Sequence, residues 1–196
     1  WNTGLTLNLA IPVASFAESF RYQAEFQGNS TWLWSYEYPF NGATFRTELY
    51  GTIVGVGTVE WEMYIAQDGG FDKVLWCEGA TRDNNATASW TLYHKPYNPQ
   101  PYMQVDYVKS NSTGVESIRY TNIIPGNADK GNYIEYRADN GGTLDYEKFY
   151  DIYQITDDNL LEIQWNEESN GRVRDPKQYQ DNEWHCWNED FLDVDC

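Results

Sequence analysis

"TWLWSYEYPF", residues 31–40, sets Trp32, Trp34, Tyr36 and Tyr38 at every second position, with Thr31, Leu33, Ser35 and Glu37 between them. Successive side chains of a β-strand point to opposite faces, so the four aromatics form one stripe. The same period of two returns in "FRYQAEF" (20–26), "TVEWEMYI" (58–65), "ASWTLYH" (88–94), "YMQVDYV" (102–108) and "LLEIQW" (160–165), among ten or eleven such runs in all. Gly, Asn and Asp clusters such as "PFNGA" (39–43), "TRDNNA" (81–86) and "TDDN" (156–159) separate them as turns. Short links between half-polar strands predict an all-β, antiparallel meander of about ten strands. Twist and the hazard of open edges favour closure, so the expectation is a closed or nearly closed β-barrel of calycin type, with a two-layer β-sandwich as the alternative. One short N-terminal helix is expected where Pro12 opens "PVASFAESF" and Val13, Phe16, Ala17 and Phe20 recur at helical spacing.

The chain has 196 residues, a length that suits one domain, or at most two small ones, with a substantial core. Its formal charge is 13 − 30 = −17, yet 41% of its residues are hydrophobic and 17% aromatic, which separates it from disordered acidic chains. Thirteen scattered Lys and Arg cannot build a phosphate-binding track, so nucleic acid is not an expected partner. No run approaches the length of a transmembrane helix. A start at Trp1 rather than Met suggests a processed, exported protein, and sequons at Asn29, Asn85 and Asn111 agree with export.

Cys186 and Cys196 lie ten residues apart at the end of the chain, and Cys77 stands alone. In an oxidising compartment a Cys186–Cys196 bond would tie down the tail, a closure worth roughly 3 kcal/mol in the loop-entropy model. The competing pairing joins Cys77 to Cys186.

Aromatic stripes on the inside of a barrel either fill it or line a cup. Trp32, Trp34, Tyr36, Trp61 and Trp90 are therefore the candidate lining for an apolar or carbohydrate ligand, and otherwise core. Tyr50, Tyr64, Tyr93 and Tyr102 fall on faces assigned outward and are candidate contact residues. Neither His94 nor His185 sits in a catalytic motif, so no catalytic residue is assigned and no cofactor is implied. "NADKGN" and "DNGGTLDYE" carry oxygen ligands around glycines without EF-hand spacing. They read first as polar turns, with Asp139, Asn140 and Asp145 as weak calcium candidates.

The last stretch, "GRVRDPKQYQDNEWHCWNEDFLDVDC" (171–196), resembles the ending of a group of uncharacterised exported proteins and lipoproteins of Bacteroidetes-type bacteria, which share GRV, then EWHCWNE, then DVDC. The start, "WNTGLTLNLAIPVASFAESF", is similar to the first stretch of the same group. The resemblance implies export and implies no activity, and the lipid-bearing cysteine of a lipoprotein start is missing here. As physics the tail reads as a cap in which Trp184 and Trp187 dock and the disulfide fixes the end. The reading is a single domain, 1–196, acting as a non-enzymatic extracellular or cell-surface module, a structural or binding component of a surface assembly. Its expected partners are cell-surface proteins or glycans, or further copies of itself. The alternatives are a small-ligand carrier and, third, a carbohydrate-active enzyme, which would need paired carboxylates across a cleft.

Overall fold

The computed structural model describes residues 16, 18–110, 113–142 and 144–196. Among these residues the chain forms one antiparallel sheet of fourteen strands in sequence order. They are β1 (Glu25–Gly28), β2 (Thr31–Phe40), β3 (Ala43–Gly55), β4 (Thr58–Gln67), β5 (Val74–Arg82), β6 (Thr87–His94), β7 (Gln100–Lys109), β8 (Val115–Asn122), β9 (Tyr133–Asp139), β10 (Lys148–Gln154), β11 (Asn159–Trp165), β12 (Gly171–Arg174), β13 (His185–Trp187) and β14 (Asp193–Val194). The sheet is not closed, because β1 and β14 stand at the two ends of the order. The period of two marks the long strands and not the short β12, β13 and β14 at the C-terminal end, where two to four residues are too few to show a period. Two compact units form, one running to Asn85 and including Ser89–Pro101, the other comprising Ala86–Ala88 and Tyr102–Cys196.

In the N-terminal unit the hairpin β2–β3 turns on Asn41 and Gly42, both at positive φ, the conformation a two-residue link requires. Register then aligns the apolar positions across strands: Leu49 faces Met63, Met63 faces Cys77, and Thr47 lies between Tyr36 and Ile65. Leu49, Met63 and Ile65 are 0% exposed and form the centre of this unit's core. At β5 the ladder slips between Met63 and Tyr64, and Trp76, the extra residue, stacks on Phe71 at 5.5 Å.

The helix expected from Pro12 lies largely outside the described residues, but Phe16, Glu18 and Ser19 are helical. "FRYQAEF" is corrected: only its last two residues join β1, because Phe20 and Tyr22 turn their rings onto the sheet, Phe20 against Trp34 and Tyr22 flat on Tyr36 at 4.7 Å. Ring burial on a ready-made aromatic face outweighs the local strand pattern.

In the C-terminal unit one face carries the rows Val105, Tyr120, Ile134, Ile152, Leu161 and Tyr107, Ile118, Tyr136, Tyr150, Ile163, Val173. The opposite face carries a charged row, Asp106, Arg119, Glu135, Asp151, Glu162, Arg174. After β12 a single helical turn, α1 (Pro176–Tyr179), starts at Asp175, whose carboxylate accepts from the Lys177 and Gln178 amides. The tail then returns as β13 and β14, and the Cys186–Cys196 disulfide closes it with Cα atoms 5.2 Å apart.

Candidate functional site

The tryptophans of the opening stripe do meet, and glycines let them. Trp61 faces Gly51 on β3 and Gly79 on β5. A Cβ on Gly51 would lie 2.8 Å from the Trp61 ring and 3.2 Å from that of Trp34, and one on Gly79 would lie 2.8 Å from the Trp90 ring. The indoles of Trp34, Trp61 and Trp90 thus settle into a row over bare backbone, with centroids 5.8 and 6.5 Å apart. Phe16 stands edge-on to Trp61 and Trp90, and Phe20 edge-on to Trp34 and Trp61. Trp32 packs against Phe26 at 5.2 Å, and Tyr36 lies under Tyr22. All five residues share one face, and rings of the same chain already cover it.

On the reverse face the tyrosines are locked together. Lys73 Nζ sits 2.6 Å from Glu48 Oε2 and over the rings of Tyr50 and Tyr64 at 5.1 and 4.7 Å, while the Tyr50 hydroxyl donates to the same carboxylate at 2.7 Å. The two rings meet edge to face at 6.0 Å. The hydrogen bond from Lys73 holds the Glu48 carboxyl below its usual range, and that bond raises Lys73. Burial, then Glu48, raises Tyr50; burial, then the charge of Glu62, raises Tyr64. Nearby, the Tyr93 hydroxyl donates to Glu78 at 2.5 Å, and burial with that bond pushes it up to about 12. Two open grooves flank the cluster. One, of about 540 Å³, is lined by Tyr50, Thr52, Glu60, Glu62, Glu78 and Arg82. The other, of about 620 Å³, is lined by Ser35, Glu37, Arg46, Glu48, Tyr64 and Lys73. Tyr102 does not belong to this surface: it is 8% exposed, buried on β7 beside Met103.

The C-terminal unit holds an arrangement that the sequence reading missed. Arg119 grips Glu135 through two nitrogens, Arg137 donates to Asp151 at 2.8 Å, and Arg174 holds Glu162. Arg172 instead donates twice to the Gln164 amide oxygen. Each guanidinium also lies on a ring, Arg119 on Tyr133, Arg137 on Phe149, Arg172 on Tyr146 and Trp184, Arg174 on Trp184. Asp151 is 9% exposed, and burial raises its pKa against the opposing pull of Arg137. The only sequence signal was the spacing of Arg172 and Arg174 two apart in a strand; the hydrogen-bond partners of the four arginines come from β9, β10 and β11.

The tail tryptophans divide between the two faces. Trp184 lies on the arginines, while Trp187 lies over Gly171 and donates from Nε1 to the Ser169 carbonyl at 2.6 Å. Asp139 is buried, and its carboxylate accepts from the Gly141 and Leu144 amides at 3.0 and 2.8 Å, the work of a polar turn. Asn140 and Asp145 are exposed beside it. Cys77 is free and buried, and burial pushes its thiol up to about 12, so it is no nucleophile at neutral pH. Asn29 and Asn85 lie in exposed turns at positive φ, and Asn111 falls outside the described residues. Compared with family models, curated proteins and solved structures, the chain finds no match in any of the three.

Proposed function

We propose that the chain is a non-enzymatic, exported module of the cell surface that binds surface proteins or glycans through the polar face of its N-terminal unit. The observation that carries this reading is the interlocked Glu48, Tyr50, Tyr64 and Lys73 cluster between two open grooves. Binding costs less when the contact side chains are already fixed, and aromatic rings beside carboxylates suit both sugar hydroxyls and protein contacts. The Cys186–Cys196 bond fits an oxidising location, and the likeness of both chain ends to exported proteins of Bacteroidetes-type bacteria points the same way. Against an enzyme stands the use of three of the four carboxylates in the charged row: Glu135, Asp151 and Glu162 each serve an arginine.

Labelled protein applied to intact source cells and to an array of envelope glycans tests this. Retention by one of them, weakened at least tenfold in Tyr64→Ala and Lys73→Ala, is the expected result. No retention, or equal retention of the variants, overturns the assignment of the face, and cleavage of a retained glycan overturns the non-enzymatic reading. The carrier alternative has less support, since Phe16 and Phe20 occupy the stripe and β1 and β14 do not pair to close a barrel around it. Native mass spectrometry decides it: mass lost on denaturation would restore the carrier.

A further inference from the structure

The last hairpin of the chain displays an aromatic ring at a backbone cost. Phe191 has φ 58 and is 72% exposed. A bulky L-residue at positive φ is strained, and its ring here gains little burial in return. The loop around it is built to hold that conformation. Asn188 Oδ1 accepts from the amides of Asp190 and Leu192 at 3.1 and 3.0 Å, the Phe191 amide donates to the Asn188 carbonyl at 2.9 Å, and the Asn188 amide donates to the Leu192 carbonyl at 3.1 Å. Beyond the loop the disulfide fixes both arms of the hairpin.

Phe191 forms the lip of an apolar groove of about 480 Å³ whose floor is Tyr150, Ile163, Trp165 and Trp187. Asp193 pairs with Trp187 in register and so lies on the same face. Among the described residues β14 ends the strand order, so no strand of theirs pairs with its outer edge. Residues 178–196 carry six acids and no lysine or arginine, and Glu189, Asp190, Asp193 and Asp195 are exposed on the same hairpin as Phe191.

We infer that this hairpin is a docking site for an extended, basic segment of another protein, which adds as a strand beside β14, seats an apolar side chain against Phe191 and Trp187, and sets Lys or Arg against Asp190 and Asp193. The inference rests on the reading of the chain as a non-enzymatic binding module and names the partner's chemistry at a second surface. Strand addition supplies the backbone bonds and the groove supplies specificity. The acidic hairpin selects against a second copy of this chain, which would bring the same acids to face these, and against anionic lipid.

The test uses the full chain and a capped heptapeptide, Lys-Val-Lys-Leu-Lys-Val-Lys, followed by fluorescence polarisation. Expected are binding at least tenfold tighter than to the same peptide with Glu for Lys or Ser for Val and Leu, and an affinity that falls with added salt. Phe191→Gly is the decisive variant. Glycine accepts the positive φ, so the hairpin keeps its disulfide and its exchange protection, yet peptide binding falls at least tenfold. Asp190→Asn with Asp193→Asn weakens binding likewise and flattens the salt dependence, and Tyr64→Ala leaves it unchanged. No binding, equal binding of the Ser peptide, or undiminished binding to Phe191→Gly overturns the site. Peptide binding undiminished in Phe191→Gly, with cell or glycan retention still lost in Tyr64→Ala, would overturn the hairpin alone and leave the polar-face reading standing.

Discussion

The two units use one device in their apolar layers and opposite devices on their polar faces. In each, a tryptophan lies over a glycine of the neighbouring strand, Trp61 over Gly51 and Trp90 over Gly79 in the first, Trp187 over Gly171 in the second. The first unit then buries an aliphatic row, Leu49, Met63 and Ile65, completely, and leaves its polar face acidic, with Lys73 holding the tyrosines. The second spends four of the chain's seven arginines on carboxylates, an amide and rings of a single face. A sheet with a dry aliphatic centre tolerates an open, grooved reverse side. A sheet with fewer fully buried apolar residues has its charged side closed by guanidinium planes that pack as flat hydrocarbon and neutralise as cations.

The largest effect that would break this contrast is loss of the aliphatic centre. Met63→Ala is expected to cost about 3 kcal/mol in urea unfolding, with hydrogen-exchange protection lost in the N-terminal unit and retained in β8–β12. Uniform loss across both units would show that they unfold as one, and the comparison would lapse. Next come the glycines. Gly79→Ala sets a methyl against the Ser89 carbonyl and the Trp90 ring, and Gly171→Ala sets one 2.6 Å from the Gln164 carbonyl oxygen and against Trp187. Each should cost about 2 kcal/mol, the first read as a change in Trp90 fluorescence, the second as faster reduction of Cys186–Cys196. A cost near zero for both would mean that the indoles have room to move and the shared device is incidental.

Lys73→Met is smaller, about 0.5 kcal/mol in thermal unfolding, because the ammonium is half exposed and methionine keeps much of the contact with the rings. The smallest effect sharpens the contrast by its sign. Glu48 is lowered from 4.5, so its contribution is present above that value and fades as pH falls through the folded one. Asp151 is raised from 3.8, so stability from this group is greatest below that value and is lost as pH rises through its folded one. Between pH 3 and 6, Glu48→Gln should therefore flatten a rise of stability with pH, and Asp151→Asn should steepen it. Carboxyl chemical shifts of the two residues supply the midpoints; a midpoint for Asp151 below 3.8 would contradict the account of its burial.

The period of two in "TWLWSYEYPF" and its counterparts determined that the fold is all-β and antiparallel, and that Trp32, Trp34 and Tyr36 share a face, since alternation is a local property of extended backbone. The short interval between Cys186 and Cys196 likewise made their bond legible. Tertiary structure alone decided the rest. Whether Trp61 meets Gly51 or a larger residue depends on strand register, which couples positions ten apart in sequence. The arginine array needs β8 to β12 paired before Arg119 and Arg174 occupy one row. Burial of Tyr102, departure of Phe20 and Tyr22 from their strand pattern, and the strained display of Phe191 all follow from what neighbouring segments place beside them. Pairing energy is non-local, and a residue's own neighbours in sequence carry no record of it.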